Sequence, residues 1–374
     1  TPYFTEKDQI LYDFWEKYKL DSLSGQWDYI EPALFGYAAA KVIESFYDFN
    51  ISAQDNVVAH FHEWMTGTGI LHLNEAVPQA GTVFTTHATV MGRSIAGHAL
   101  PLYKDLKKFD INRLARDFGV NSKHSLEKTS ANVADCLTTV SEITSKECAQ
   151  FLDRECDVIT VNGFEDSIVA PETKLVEKRK QSRKTIFQIV EGLLNQKVSE
   201  DSFLLINSGR YEFKNKGIDL YIDALGRINR EKDSSRQIIA VIAVPGHHSG
   251  VRKELYQRIE SPDYEQPLSE QYLTHHLYDE YSDPILNRIK ANDLNNSEED
   301  IVKIIFIPAY LDGQDGLVNL NYYDFLTGFD LSVFPSYYEP WGYTPLESAA
   351  FRIPTITSNL AGFGLWIESL NDVS

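Results

Sequence analysis

Apolar positions along the 374-residue chain follow two rhythms. Ile10, Leu11, Phe14, Trp15 and Tyr18 recur at helical spacing and predict a helix over 7–20, and the Ala-rich run 33–46 predicts a second. Short apolar runs at 56–64, 81–87, 136–140 and 157–161 read as buried strands separated by helical stretches. Residues 172–184, rich in Lys and Arg, lead into the helical pattern 186–194 and are expected to form a charged, solvated helix entering a hinge. The design then repeats. A strand is predicted at 203–210, a helix at 217–229 with Leu220, Ile222, Leu225 and Ile228 facing inward, and strands at 238–244, 302–307, 331–334 and 354–357. The polar stretch 250–300 is expected to be a helical, exposed insert, either a solvated arm or a contact in a homo-oligomer. The chain therefore reads as α/β, in two parallel-sheet domains: 1–196 and 197–374.

Composition narrows the function. Hydrophobic residues make up 43% and the formal net charge is -19, with a pI near 4.9. Such a chain repels phosphate polyanions, so no nucleic acid and no membrane surface is expected as a partner, while a neutral polymer remains open. Cys136, Cys148 and Cys156 form no C-x-x-C, which argues against zinc and against a disulfide framework and fits reduced thiols in a cytoplasmic protein. No apolar run approaches the ~20 residues of a membrane span, and no signal peptide is visible. Starting at Thr1 without Met and stopping soon after a glycine-rich turn, the chain is expected to be cut at both ends.

The richest word is 335–347, which joins the strand at 331–334 to a helix with Pro345 in its first turn. Glu339 stands on the loop and Glu347 about one turn into the helix. In an open α/β sheet such a turn lies where ligands bind, and a helix N-terminus suits a phosphate. Acids for hydroxyls beside a phosphate-ready terminus point to a sugar nucleotide. The word from Arg210 to Gly217 also leaves a strand and opens a helix, and Arg210, Lys214 and Lys216 could grip a pyrophosphate or simply form a charged surface loop. His87 ends the strand at 81–87 and leads into Arg93. His60 and His62 are expected to diverge on their strand, which, with no third ligand nearby, argues against a metal. Tyr310 and Tyr322 could pack or contact a ligand, and the glycines at 362 and 364 could cradle phosphate or only turn the chain.

The Glu-x7-Glu spacing inside Tyr-Glu-Pro-Trp-Gly-Tyr-Thr-Pro-Leu-Glu resembles the retaining glycosyltransferases with two Rossmann-like domains facing a deep cleft, the GT-B fold. The whole word, with Gly-Arg-Tyr-Glu-x-Lys-Asn-Lys-Gly at 209–217 and Thr-Thr-His-Ala-Thr at 85–89, is similar to the eukaryotic-type, UDP-glucose-dependent glycogen synthases. The resemblance runs from about Trp27 to the C-terminus. It implies retaining transfer of glucose from UDP-glucose to the nonreducing-end 4-OH of an α-1,4-glucan, with no cofactor and no metal. It gives Arg210 and Lys216 the charge of the leaving UDP and Glu339 the glucose hydroxyls. His87 falls to the transferred glucose, Arg93 to phosphate and Glu347 to the ribose. Trp341, Gly342, Tyr343 and Thr344 wrap sugar and diphosphate, Tyr310 stacks on uracil, and Tyr322 contacts the nucleotide. Asn162 borders the acceptor cleft, and His62 and Glu63 lie near it in a less defined role.

Two departures from the family qualify this reading. Nothing in residues 1–30 matches the family's Gly-Gly loop, and its closing C-terminal helices and arginine-rich glucose 6-phosphate helix are not found, so the first domain is expected to be incomplete and turnover poor. Another UDP- or ADP-sugar transferase, or a non-catalytic glucan-binding or nucleotide-binding protein of the same fold, is the alternative.

Overall fold

A computed structural model of the chain describes residues 2–52, 54–232, 234–261 and 265–371. They form two compact units, one of residues up to Asn162 together with those from Leu365, the other Gly163–Gly364.

The first unit opens with α1 (Lys7–Tyr18), which buries Ile10, Leu11 and Phe14 and stops where Lys19 turns left-handed and returns its N–H to the Trp15 carbonyl. Helix α2 (Trp27–Asn50) outruns its apolar pattern and carries Pro32 near its start. Then follow β1 (Val58–His62), α3 (Gly67–Ala76), β2 (Gly81–Thr86), α4 (Val90–Gly97), α5 (Ile111–Asp117), α6 (Asn121–Val133), β3 (Cys136–Thr139), α7 (Glu142–Glu147) and the short β4 (Val158–Ile159). The four strands pair in parallel in the order β1-β2-β3-β4, with Phe61 opposite Phe84 and Phe84 opposite Leu137. On β1 only Ala59 and Phe61 are buried, so His60 and His62 share the other face. The expected divergence of these two imidazoles is thereby overturned. Residues two apart on a strand point the same way, and the rings lie 4.1 Å apart.

The second unit begins with α8 (Glu172–Leu194) and continues through β5 (Phe203–Ser208), α9 (Ile218–Glu231), β6 (Ile238–Ala243), β7 (His248–Val251), α10 (Lys253–Glu260), β8 (His275–Leu277), α11 (Pro284–Ala291), β9 (Val302–Ile307), α12 (Tyr322–Leu326), β10 (Leu331–Phe334) and α13 (Tyr343–Ala350) to β11 (Thr355–Thr357), and α14 (Gly362–Asn371) starts in it, its residues from Leu365 counting with the first unit. Its main sheet is parallel in the order β11-β10-β5-β6-β9. Strand β6 is apolar at all six positions and buried at all six, as a central parallel strand must be. Alternate residues feed two cores. Leu204, Ile206, Val241 and Ile305 meet Ile186, Ile189 and Val190 of α8 on one face. Leu205, Ala240, Ile242 and Ile304 meet Ile218, Ile222 and Leu225 of α9 on the other.

Several expectations are adjusted here. The units divide after Asn162, not at 196/197, because α8 is one layer of the second unit's core. Residues 172–184 of α8 are mostly exposed, as expected of a charged helix, but one side is tied to the rest of the second unit. Arg179 and Arg183 reach Asp330, the Ser182 hydroxyl donates to the Phe325 carbonyl at 2.6 Å, and Arg183 also donates to the Ser202 carbonyl at 2.8 Å. The stretch 250–300 is not an exposed arm. Leu255 is buried against α8, and Leu273, Ile285, Leu286, Ile289 and Leu294 complete the core beside α9, with Arg288 paired to Asp223. Its antiparallel pair β7–β8 was invisible to a helical reading, and positions 262–264 lie outside the described residues. On α9 it is Tyr221, not the largely exposed Leu220, that faces inward. Among the described residues no helix is long and apolar enough to cross a membrane.

Candidate functional site

In the second sheet the order runs outward both ways from β5: to β6 and β9 on one side, to β10 and β11 on the other. Loops leaving the carboxyl ends of β5 and β10 therefore diverge and leave a crevice between them. A cavity of about 640 Å³ lies there. Gly209, Arg210 and Tyr211 come from the end of β5, Ala243 and Pro245 from β6, Ala309 to Asp312 from β9, and Glu339, Tyr343 and Thr344 from the β10–α13 turn. Lys216 and Tyr322 complete the lining.

The two charged words meet through their backbones. The Asn215 carbonyl accepts from the N–H groups of Tyr337 and Tyr338 at 2.9 and 3.1 Å. Gly217 caps α9 at φ 65°, and a Cβ there would stand 2.0 Å from the Pro335 carbonyl oxygen. Only glycine permits both that conformation and that approach. The result is the Lys216–Glu339 ion pair, whose side chains are only 14% and 12% exposed. Arg210 is mostly exposed and pairs with Glu212 at 2.9 Å. Lys214 turns away to Asp219 at 2.6 Å and lies over the Tyr337 ring.

At the start of α13, Gly342 takes φ 114° and offers no side-chain cap, so the first-turn N–H groups remain available at the cavity, where Tyr343 and Thr344 stand. Trp341 is buried, edge-on to Phe363 at 5.9 Å, and its carbonyl accepts the Phe363 N–H at 2.7 Å. It serves as an anchor for the turn. The Gly362 N–H reaches the Glu339 carbonyl at 2.9 Å, so the glycine-bearing loop at 359–364 braces the same turn.

Tyr310 projects from the β9 loop and is 77% exposed, whereas the hydroxyl of half-buried Tyr322 bonds Ser208 at 2.9 Å. Glu347 is placed otherwise. It accepts from the Tyr323 hydroxyl at 3.1 Å, burial raises its carboxyl above the usual range, and Tyr323 is itself stacked on Phe351. The cavity thus unites Arg210, Lys216, Glu339, Tyr343, Thr344, Tyr310 and Tyr322. Sequence reasoning missed Tyr211, fixed by its bond to Asp283 at 2.5 Å, and Asp312; the first stood inside a quoted word, the second carried no signal.

The first unit gathers the other expected residues. His87 follows β2, and its ring nitrogen lies 3.0 Å from that of His62, which faces the same way as His60. Burial lowers the pKa of both His62 and His87, with neighbouring imidazoles adding to it. The loop after β2 is held by three acids. Glu63, at φ 67°, accepts the His87 N–H at 3.0 Å. Glu127, wholly buried, accepts the Thr86 hydroxyl and the Val90 N–H, both at 2.9 Å. Glu147 accepts the Thr89 hydroxyl at 2.6 Å. Thr89 caps α4, whose second turn starts at Arg93. Burial, reinforced by Glu63 and Glu147 against the opposing Val90 N–H, pushes the Glu127 carboxyl up to about 8. Neither Glu127 nor Glu147 carried a sequence signal, since each sits on a helix among ordinary polar positions. Asn162 closes the unit after β4. Among the described residues no group of three His, Cys, Asp or Glu is arranged to hold a metal ion.

Known proteins resemble this chain in sequence and in fold. The family profile described as glycogen synthase matches residues 4–256 and 266–373. The glycogen [starch] synthase of Neurospora crassa is 29% identical over 96% of this chain and 58% of its own length. The mouse liver glycogen [starch] synthase is 30% identical over 95% of this chain and 58% of its own, and that of Caenorhabditis elegans 31% over 90% and 59%. The chain thus spans about three fifths of the length of these curated relatives. Among solved structures, the catalytic domain of starch synthase IV from Arabidopsis thaliana, bound to ADP and acarbose, superposes with a TM-score of 0.51 at 16% identity, covering 91% of this chain and 63% of that one. Sucrose-phosphate synthase from Thermosynechococcus elongatus gives 0.50 at 14%, covering 89% and 62%. These likenesses show the fold class, that of GT-B glycosyltransferases with two Rossmann-like units.

Proposed function

The chain belongs to the glycogen synthase family, and from that premise we propose that it transfers glucose from UDP-glucose to the nonreducing-end 4-OH of an α-1,4-glucan, with retention at the anomeric carbon. The observation that carries the proposal is the meeting of Arg210, Lys216 and Glu339 with the open start of α13 in one cavity. Two cations and a row of N–H groups suit a diphosphate, and the cations compensate the charge that grows on UDP as the glycosidic bond breaks. Exposed Tyr310 offers a face for a flat base, and the half-buried Tyr322 supports the wall behind it.

Glu339, held by Lys216, is oriented to accept hydrogen bonds from glucose hydroxyls. In this reading no carboxylate acts as nucleophile. The acceptor oxygen attacks from the face that the phosphate is leaving, and the phosphate oxygen takes its proton. No metal is required, since Arg210 and Lys216 supply the positive charge. By the likeness of their words to the family, His87 and Arg93 are assigned to the glucose and phosphate, and His62 and Asn162 to the acceptor. Glu347 supports the ribose through its Tyr323-bound carboxyl, and Trp341 and Gly342 shape the turn. Glycogen or another α-1,4-glucan is the acceptor, and the site of action is the cytoplasm.

Calorimetric titration with UDP and, separately, ADP tests the reading, with Arg210→Ala as control. The expected result is UDP binding, weaker ADP binding, and a loss of about 1.5–3 kcal/mol, roughly tenfold or more, in the variant, as for one charge-assisted contact. Absence of UDP binding, or binding indifferent to Arg210, overturns it.

A further inference from the structure

A second cavity, of about 520 Å³, lies within the first unit between α5 and α6, and no residue of the proposed transfer lines it. Its volume falls in the range of about 300–1,000 Å³ that small-molecule pockets take. Two helices build it. The N–H groups of Gly119 and Val120 donate to the Arg116 and Ala115 carbonyls at 3.0 and 2.8 Å, with Gly119 at φ 66°. This tight turn sets Arg116, in the last turn of α5, beside the start of α6. Val120 precedes α6 and supplies no side-chain cap, so the partial positive charge of the first turn is left for another acceptor. Further along, His124, Ser125, Lys128, Thr129 and Asn132 recur at helical spacing on one side of α6 and line the cavity. From Asn121 to Asn132 that side runs about 16 Å.

What marks the cavity as a binding site is His124. Its side chain lines the space yet is only 5% exposed, and its Nδ1 has no hydrogen-bond partner. A buried ring nitrogen left unpaired costs free energy that a ligand can return. The charges around it favour an anion. Arg116 is exposed and pairs with no acid among the described residues. Lys128 reaches Asp153 at 2.5 Å, in a surface pair worth little and easily exchanged. Among the described residues that line the cavity, Asp21 is the one acid, and it is already engaged: it accepts the Asn121 amide and, at 2.5 Å, the Ser24 hydroxyl. Cations thus outnumber acids here, in a chain whose net charge is -19.

We propose that this cavity binds a small phosphate monoester, its phosphoryl group between Arg116 and the start of α6 and its hydroxyls along Ser125, Thr129 and Asn132. Arg116 offers two parallel N–H donors to the phosphoryl oxygens, and the open helix start adds its own. His124 donates from its ring, and Lys128 exchanges Asp153 for the ligand. A bare ion would fill only the end beside Arg116. The hydroxyl and amide groups further along α6 suit the hydroxyls of the esterified part.

The test follows the His124 ring by NMR in the full chain, its signal assigned through His124→Gln. In the free protein burial and the neighbouring Lys128, against an opposing Asp153, push this imidazole down to about 4. A bound dianion favours the charged ring and should raise that value to about 5 or above. Inorganic phosphate and glycerol 3-phosphate are the probes, with glycerol and sodium chloride as controls. Both probes should move the ring signal saturably, the ester at a roughly tenfold lower concentration, as two or three added hydrogen bonds allow. Half-saturation should rise about tenfold or more in Arg116→Gln and in Lys128→Gln, neither of which disturbs the core, and stay unaltered in Arg210→Ala. No saturable shift, the same shift with sodium chloride, or indifference to Arg116 and Lys128 overturns the site. An ester that binds no more tightly than phosphate overturns the assignment of the ligand, leaving an adventitious ion only. None of these readouts involves UDP or sugar transfer, so failure here leaves the UDP titration untouched, and the reverse.

Discussion

Lys216 and Glu339 are the pair on which the cavity's shape depends, and its strength can be worked out before any substrate is considered. Removing one partner of a fully buried ion pair costs about 3–5 kcal/mol, because the other charge is left unpaired. An exposed pair is worth about 0–1 kcal/mol. Here the side chains are 14% and 12% exposed at the edge of an open cavity, so water can reach a stranded carboxylate only in part. Lys216→Met is therefore expected to destabilise the second unit by about 2–3 kcal/mol, and Glu339→Gln by a similar amount. The double variant should cost about 1.5–2 kcal/mol less than the sum, since it strands no charge. Native-state hydrogen exchange at the amides of β6 isolates this unit, and 2 kcal/mol appears there as a roughly thirtyfold faster exchange. Single variants below about 1 kcal/mol, or costs that simply add, would show that the pair is a surface contact and that the backbone alone fixes the two loops.

Further outcomes follow from the same geometry. Gly217→Ala places a methyl group against the Pro335 carbonyl in a left-handed backbone, and should lower the urea midpoint of the second unit by the equivalent of about 2–4 kcal/mol. Glu127 has its pKa pushed up to about 8 by burial, well above its unfolded value near 4.3. The folded state therefore binds the extra proton, so stability is full below about pH 4 and falls as pH rises through 8. Glu127→Gln should flatten that decline in thermal scans between pH 5 and 9, and an unchanged slope would refute the assignment. Burial of Asp330 is outweighed by the Leu204 N–H and by Arg183 and Arg179, which hold its carboxyl below the usual range. Asp330→Ala should thus cost about 2–4 kcal/mol at pH 7, a difference that shrinks as acid protonates the native carboxyl below pH 4.

What the chain discloses without coordinates depends on how local the cause is. The apolar runs at 238–244 and 302–307 needed no partner to be read, because strands buried on both faces are apolar throughout. Arg210, Lys216 and Glu339 were legible because each stands in a loop between a strand and a helix, where chemistry concentrates. The position of α8 was not. Its charges look solvated until Asp330 and the carbonyls of 327–329, some 150 residues onward, are seen to receive them. Glu347 shares its word with Glu339 but meets Tyr323, which belongs to an element some twenty residues earlier and which no spacing within the word reveals. The acids beneath His87 come from three separate elements, and no spacing rule relates positions 63, 127 and 147.

The crevice between β5 and β10 also bears on how the protein acquires its chemistry in time. These neighbours lie far apart in the chain; the Asn207 side chain donates to the Val333 carbonyl across a separation of 126 residues. Pairing β5 with β6 closes a much shorter loop and can come early, whereas β10 must be synthesised and must cross back before it docks. Until then Lys216 faces solvent and the Gly217 turn has no Pro335 against it. The binding surface is thus a late product of folding, absent from any partly zipped form of the sheet. A ligand that touches both loops can neither guide the early steps nor bind a misregistered intermediate. It can only slow the departure of β10, so its mark should be a smaller unfolding rate with an unaltered refolding rate.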